Sequence, residues 1–176
     1  MYPFLRLAKE SWTSRNAPPL GLTQMHVSRH LCWPWDLDPW LELNNGRTLT
    51  LFDLGRVPLG RRTGLAAVLR AKRWAMVVAG NSTRYRRRVR LFDRIEMHSR
   101  CIGWDHRFFY MEQSMWKDEE CTSHVLLRSA VTSGAGIIPP ATVLEAMGHQ
   151  VTSPDLPAYV QAWITADAQR PWPPVS

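Results

Sequence analysis

The hydrophobic period of this chain changes once, and the change limits the folds open to it. Before about residue 73 the longest regular stretch is helical in spacing. Leu49, Phe52 and Leu59 recur on one face, widened by Leu51 and Leu54. From Trp74 onward the spacing is two. The first stretch covers residues 74–78 and 83–91, interrupted at Gly80-Asn81. Ile95, Met97, Ser99 and Cys101 then alternate with Glu96, His98 and Arg100. Phe109, Met111 and Met115 alternate with Tyr110, Glu112 and Ser114. After the charged turn Lys117-Asp118-Glu119-Glu120 come Cys121, Val125, Leu127 and Val131, alternating with His124 and Arg128. This pattern predicts an antiparallel meander with one buried face. One long helix must cover that face, because nothing else in the chain is long enough. The expected class is α+β.

The flanking segments are simpler. Residues 1–20 mix basic, polar and proline residues and read as a loosely tethered arm, and residues 22–33 read as a strand. Asn44 or Asn45 suits a helix N-cap. Gly55 permits close approach to whatever the helix packs on, and Pro58 is expected to kink or end it. Residues 64–72 read as a second short helix. Pro139-Pro140 opens a helix reaching Met147, with Gly148 as its C-terminal cap. Residues 158–168 form a last helix, and 171–176 read as a disordered tail. The domain reading is an arm over 1–20, one domain over 21–148, and a linker, helix and tail over 149–176.

Charge and cysteine content narrow the function. The formal net charge is +7, much of it in Arg84, Arg86, Arg87, Arg88 and Arg90. Such a balance suits nucleic acid, an anionic membrane or a phosphorylated small molecule. Only Tyr85 interleaves with the arginines, and no nucleic-acid motif is present, so nucleic acid is not the expected partner. Cys32, Cys101 and Cys121 are odd in number and widely spaced, which fits a reducing cytoplasm. No segment approaches the roughly 20 apolar residues of a membrane span. No histidine pair has metal spacing with an acidic or cysteine partner, and no metal or other cofactor is expected.

The chemistry concentrates between the first strand and the helix, in Asp36-Leu-Asp38-Pro-Trp-Leu-Glu42-Leu-Asn44-Asn45-Gly-Arg47. Pro34 and Pro39 hold the carboxylates in extended or turn geometry. A carboxylate just before a helix N-terminus sits beside amides able to stabilise an oxyanion, an arrangement suited to acyl transfer or hydrolysis. Asp38 has two readings: a base or nucleophile, or a turn carboxylate capping backbone amides. Asp36 reads as structural, and Asn44 and Asn45 chiefly as caps that fix the loop. The arginine strand has a bland reading too, a solvated face.

The succession Asp36-x-Asp38, Asn44-Asn45, helix and meander resembles the hotdog-fold thioesterases of the 4-hydroxybenzoyl-CoA thioesterase group, in the branch of thioesterase superfamily member six. Phe52-Asp-Leu-Gly-Arg56, Gly103-Trp-Asp-His-Arg107, Phe109-Tyr-Met-Glu112 and Pro154-Asp-Leu-Pro157 extend the likeness over about residues 22–168. The resemblance implies a hotdog fold of about five to six strands wrapped around a central helix. It also implies an acyl-CoA thioesterase with Asp38 as the carboxylate and the helix N-terminus as oxyanion site. Its substrate is an acyl-CoA or acyl carrier protein thioester. The family pattern is a homodimer, in some cases a dimer of dimers, joined sheet edge to sheet edge. Glu42 and Asn45 complete the candidate catalytic set, and Arg84, Arg86, Arg87 and Arg88 are candidates for the coenzyme A phosphates. Two positions depart from the family: Glu42 stands where histidine is usual and Thr48 where tyrosine is usual. Glu42 is then either a second carboxylate near Asp38, with like-charge repulsion raising one of the two pKa values, or a solvated residue in a weak site. The competing reading is a non-catalytic acyl-CoA binding protein on the same fold.

Overall fold

The period-two stretch forms a curled antiparallel sheet, and the helical stretch lies across its inner face. The computed structural model describes residues 2–171, 173 and 174. In chain order the elements are α1 (Phe4–Thr13), β1 (His26–Leu31), a single 3-10 turn (Pro34–Asp36), α2 (Asn45–Arg62) and α3 (Leu65–Lys72). The strands β2 (Ala75–Tyr85), β3 (Arg94–Trp104), β4 (Phe109–Lys117), β5 (Glu120–Ser133) and β6 (Gly136–Ile138) follow. The helices α4 (Pro140–Ala146) and α5 (Ala158–Ala168) come last. The strand order is β1-β3-β4-β5-β2, with β6 added to the end of β5. This is the hotdog arrangement that the family resemblance implies.

Period two places Ile95 and Met97 of β3, Met111 and Met115 of β4, and Val125 and Leu127 of β5 against Leu51, Phe52, Leu54 and Leu59 of α2. Gly55 lets the helix settle this closely. A Cβ there would lie 2.4 Å from Ser99 Oγ and 2.8 Å from Met97 Sδ. The opposite face of the sheet is not left to solvent, as a single covered face implied. Tyr110 and Leu126 pack there beneath Val160, Trp163 and Ile164 of α5.

Further expectations are corrected. Pro58 does not end α2, which continues to Arg62 with Pro58 inside it. Pro58 removes one helical N–H donor, and the helix is held there by burial of Leu54, Gly55, Pro58 and Leu59. The first twenty residues contain the helix α1, which packs on α2. Leu7 reaches the main core and Arg6 binds Asp36. The strand expected over 22–33 shortens to β1, and the break at Gly80 is a bulge within the continuous strand β2. The expectation for the tail falls largely on residues outside those described.

Candidate active site

Asp36 organises the loop between β1 and α2. It is fully buried. Its Oδ2 accepts from the Trp33 amide at 3.0 Å and from Arg6 Nη1 at 2.6 Å, and its Oδ1 accepts from Arg47 Nε at 2.6 Å. One carboxylate thus ties α1, the end of β1 and the first turn of α2 together. Burial opposes its charge, but the hydrogen bonds from Arg47, the Trp33 amide and Arg6 outweigh that and hold its pKa below the ordinary carboxylate value.

Asp38 follows in a tight turn. The Asp38 amide donates to the Glu42 carbonyl at 2.8 Å, and the Leu41 amide donates to the Asp38 carbonyl at 3.0 Å. Leu41 takes a left-handed φ of 61°. Asp38 Oδ1 accepts from the amides of Trp40 at 2.9 Å and Glu42 at 3.2 Å. Glu42 makes an isolated antiparallel bridge with Arg90, and its Oε1 lies 3.0 Å from Arg88 Nε. The Glu42 carboxylate is therefore paired with the arginine segment that follows β2. Asn44 is the N-cap of α2: its Oδ1 accepts the Arg47 amide at 3.0 Å, and its own amide donates to the Asp36 carbonyl at 2.9 Å. Asn45 opens the helix and accepts Tyr85 Oη at its carbonyl, 3.2 Å away. The amides of Asn45 and Gly46, in the first turn, have no intrahelical acceptor. Thr48 is buried, its hydroxyl donating to the Asn44 carbonyl at 3.1 Å.

The four candidate arginines share one exposed segment but differ in pairing. Arg88 holds Glu42, and Arg87 pairs with Glu120. Among the described residues neither Arg84 nor Arg86 has a carboxylate partner.

A second polar group lies further along α2, around Arg56, whose sequence reading as an ion-pair partner on the helix is met by Asp53. Arg56 donates from Nη1 to Gln113 Oε1 at 2.9 Å and from Nη2 to Asp53, whose other oxygen accepts Tyr2 Oη at 3.0 Å. Gln113 is fully buried and also donates to the Phe52 carbonyl and Ser99 Oγ, each at 2.8 Å. The signal for Gln113 was present: residue 113 falls on the same strand face as Met111 and Met115. Two cavities flank this group. One, about 270 Å³, lies between the first half of α2 and the inner side of β2 and β5; the other, about 60 Å³ and almost wholly apolar, lies between its second half and α4. Among the described residues no cluster of three histidine, cysteine, aspartate or glutamate side chains is placed to hold a metal.

Residues 32–164 match the model of the thioesterase-like superfamily. The chain belongs to the thioesterase-like superfamily. Among superfamily relatives, protein THEM6 of Xenopus laevis is 32% identical over 146 residues, spanning 81% of this chain and 69% of that protein. Protein THEM6 of Danio rerio is 35% identical over 132 residues, 73% of this chain and 63% of its own length. About a third of each relative therefore lies outside the match. A thioesterase from Thermus thermophilus, solved with coenzyme A and zinc, superposes with a TM-score of 0.60 at 22% identity, over 70% of this chain and 98% of its own. That likeness shows the superfamily fold. No described helix is long and apolar enough to cross a membrane.

Proposed function

We propose that this chain hydrolyses acyl thioesters of coenzyme A, with Asp38 as general base or nucleophile. The observation that carries the reading is the placement of the Asp38 turn directly before the N-terminus of α2. One carboxylate oxygen is fixed by two amides, which leaves the other to act on a water or a thioester carbon. The amides of Asn45 and Gly46, at the positive end of an 18-residue helix, would stabilise the developing oxyanion by about 3 kcal/mol. When Asp38 acts as base, the C–O bond forms as the water proton passes to Asp38. The tetrahedral intermediate then expels the coenzyme A thiolate. A thiol of pKa about 8.5 leaves without a strong acid beside it. Arg84 and Arg86 suit the coenzyme's phosphates, and Arg87 and Arg88 complete the basic segment. The Thermus relative is itself named in complex with coenzyme A.

The edge of the sheet supports a dimer. Among the described residues β2 is paired only with β5, and Val77 and Val78 are each 45% exposed along it. A long unpaired edge strand of this kind is a template for a second copy.

One observation favours the alternative of an acyl-CoA binding protein without turnover. The Glu42 carboxylate pairs with Arg88 through one oxygen, which competes with a role in orienting water. Thiol release across short, long and aromatic acyl-CoAs separates the readings. Turnover supports the hydrolase. Tight binding with no thiol release, restored by Glu42→His, supports the binding protein.

A further inference from the structure

Leu49, Asp53, Arg56, Gly60 and Thr63 lie at helical spacing on one stripe of α2, and both cavities open along that stripe. The first begins one turn after the N-terminus of α2, with Leu49, Phe52, Val78, Val125 and Leu127 in its walls. The second continues past it among Leu59, Met76, Met111, Leu144 and Met147. Arg56 borders both. Its guanidinium is held across the stripe by Asp53 and Gln113, and Tyr2 secures Asp53 from outside.

We infer that Arg56 sets the acyl-chain length this protein accepts, as a charged partition between a near and a far acyl compartment. The inference rests on the thioester reading above. An acyl group whose carbonyl sits at the first amides of α2 enters the near compartment and meets the guanidinium at its end. Carrying methylenes past it would bring apolar chain against an ion pair and break hydrogen bonds to the buried Gln113 amide, which is unfavourable. The far compartment is apolar, and Arg56 borders it as well as the near one.

The far cavity of about 60 Å³ has room for about two methylenes, taking about 30 Å³ for each as for a water molecule in the liquid. Each methylene moved into apolar surroundings is worth about fourfold, so opening the partition is worth about fifteenfold in kcat/KM for the longer chain. The experiment measures kcat/KM and Kd for straight-chain acyl-CoAs of increasing length, with the wild-type chain, Arg56→Met and Arg56→Met/Gly60→Leu. Gly60 borders the far cavity, and a Cβ there meets nothing within 4 Å, so the leucine refills the space. Arg56→Met should move the length limit upward by about two carbons, raising the long-to-short ratio about fifteenfold. Adding Gly60→Leu should restore the original limit. Because Arg56→Met leaves Asp53 charged, Asp53→Asn/Arg56→Met is the second variant should the first fail to fold. A folded variant with the wild-type length profile overturns the inference. Absence of thiol release from every substrate refutes the hydrolase reading alone, since the length limit is then still read from Kd. Absence of both release and binding overturns both.

Discussion

Replacing Asp36 with asparagine tests how the loop bearing Asp38 is held. The carboxylate is fully buried, and its arginine partners are only 16% and 14% exposed, so solvent screens little of the interaction. Removing one member of a buried charge cluster costs about 3–5 kcal/mol, because the remaining charges keep their desolvation cost. For a domain of this size that lowers Tm by about 6–20 °C, at roughly 2–4 °C per kcal/mol. Asparagine keeps the size and one carbonyl acceptor for the Trp33 amide, so the loss reports on charge more than on packing. The assay is calorimetric melting of Asp36→Asn, Arg47→Gln and the double variant. Asp36 and Arg47 share a contact, so the double variant should lose less than the sum of the two singles. The sign with pH follows from the lowered pKa. The Asp36 contribution is present above the unfolded carboxylate value, about 3.9, and is lost as pH falls through the folded value. The gap between wild type and Asp36→Asn should therefore narrow in strong acid. A loss under about 1 kcal/mol at neutral pH, in the range of an exposed ion pair, would refute this account of the loop.

Other predictions concern packing, titration and assembly. Gly55→Ala should destabilise by about 1–3 kcal/mol despite alanine's helix propensity, because its Cβ meets Ser99 and Met97. Gly60→Ala, with open space around it, should stabilise by up to about 1 kcal/mol; urea melts check both. His26 and His30 are buried beside Arg62, Arg6 and Lys9. Burial first, then these cations, lowers their pKa values to about 4 and about 3. Below about pH 6.5 the unfolded chain binds protons that the folded chain refuses. Stability should therefore fall by up to about 1.4 kcal/mol per pH unit for each histidine, down to those values. Glu10 beside His30 is shifted upward by burial and acts in the opposite sense within the carboxylate range. His26→Gln/His30→Gln should flatten the slope between pH 6.5 and 4, and an unchanged slope counts against these assignments. Val77→Lys/Val78→Lys, placing charge on the open edge, should halve the mass seen by light scattering if the copies join through β2.

Most of the fold was legible because its signals are periodic. The change from helical to alternating spacing marks where α2 and α3 give way to the sheet, and α5 begins and ends at the residues its pattern indicated. Non-local packing accounts for what was not legible. Pro58 breaks a local rule that burial on both sides of it overrides. α1 looks like a polar arm until Arg6 finds Asp36, 30 residues away. In the site, Asn44 was legible as a cap because capping is local. The pairing of Glu42 with Arg88 was not, since it depends on the bridge between residues 42 and 90. Arg56 was legible as an ion-pair partner, a role Asp53 fills three residues earlier on the same helix, but its bond to Gln113, 57 residues later, was not.

The role of Asp38 is tested most directly by Asp38→Asn. The amide oxygen of asparagine still accepts from Trp40 and Glu42, so the turn persists while the base is lost. Measured by thiol release on the best acyl-CoA, kcat/KM should fall about 10²–10⁴-fold, with Kd for that substrate little changed. Wild-type kcat/KM in the folded variant would contradict the assignment of Asp38 as the carboxylate that drives thioester cleavage.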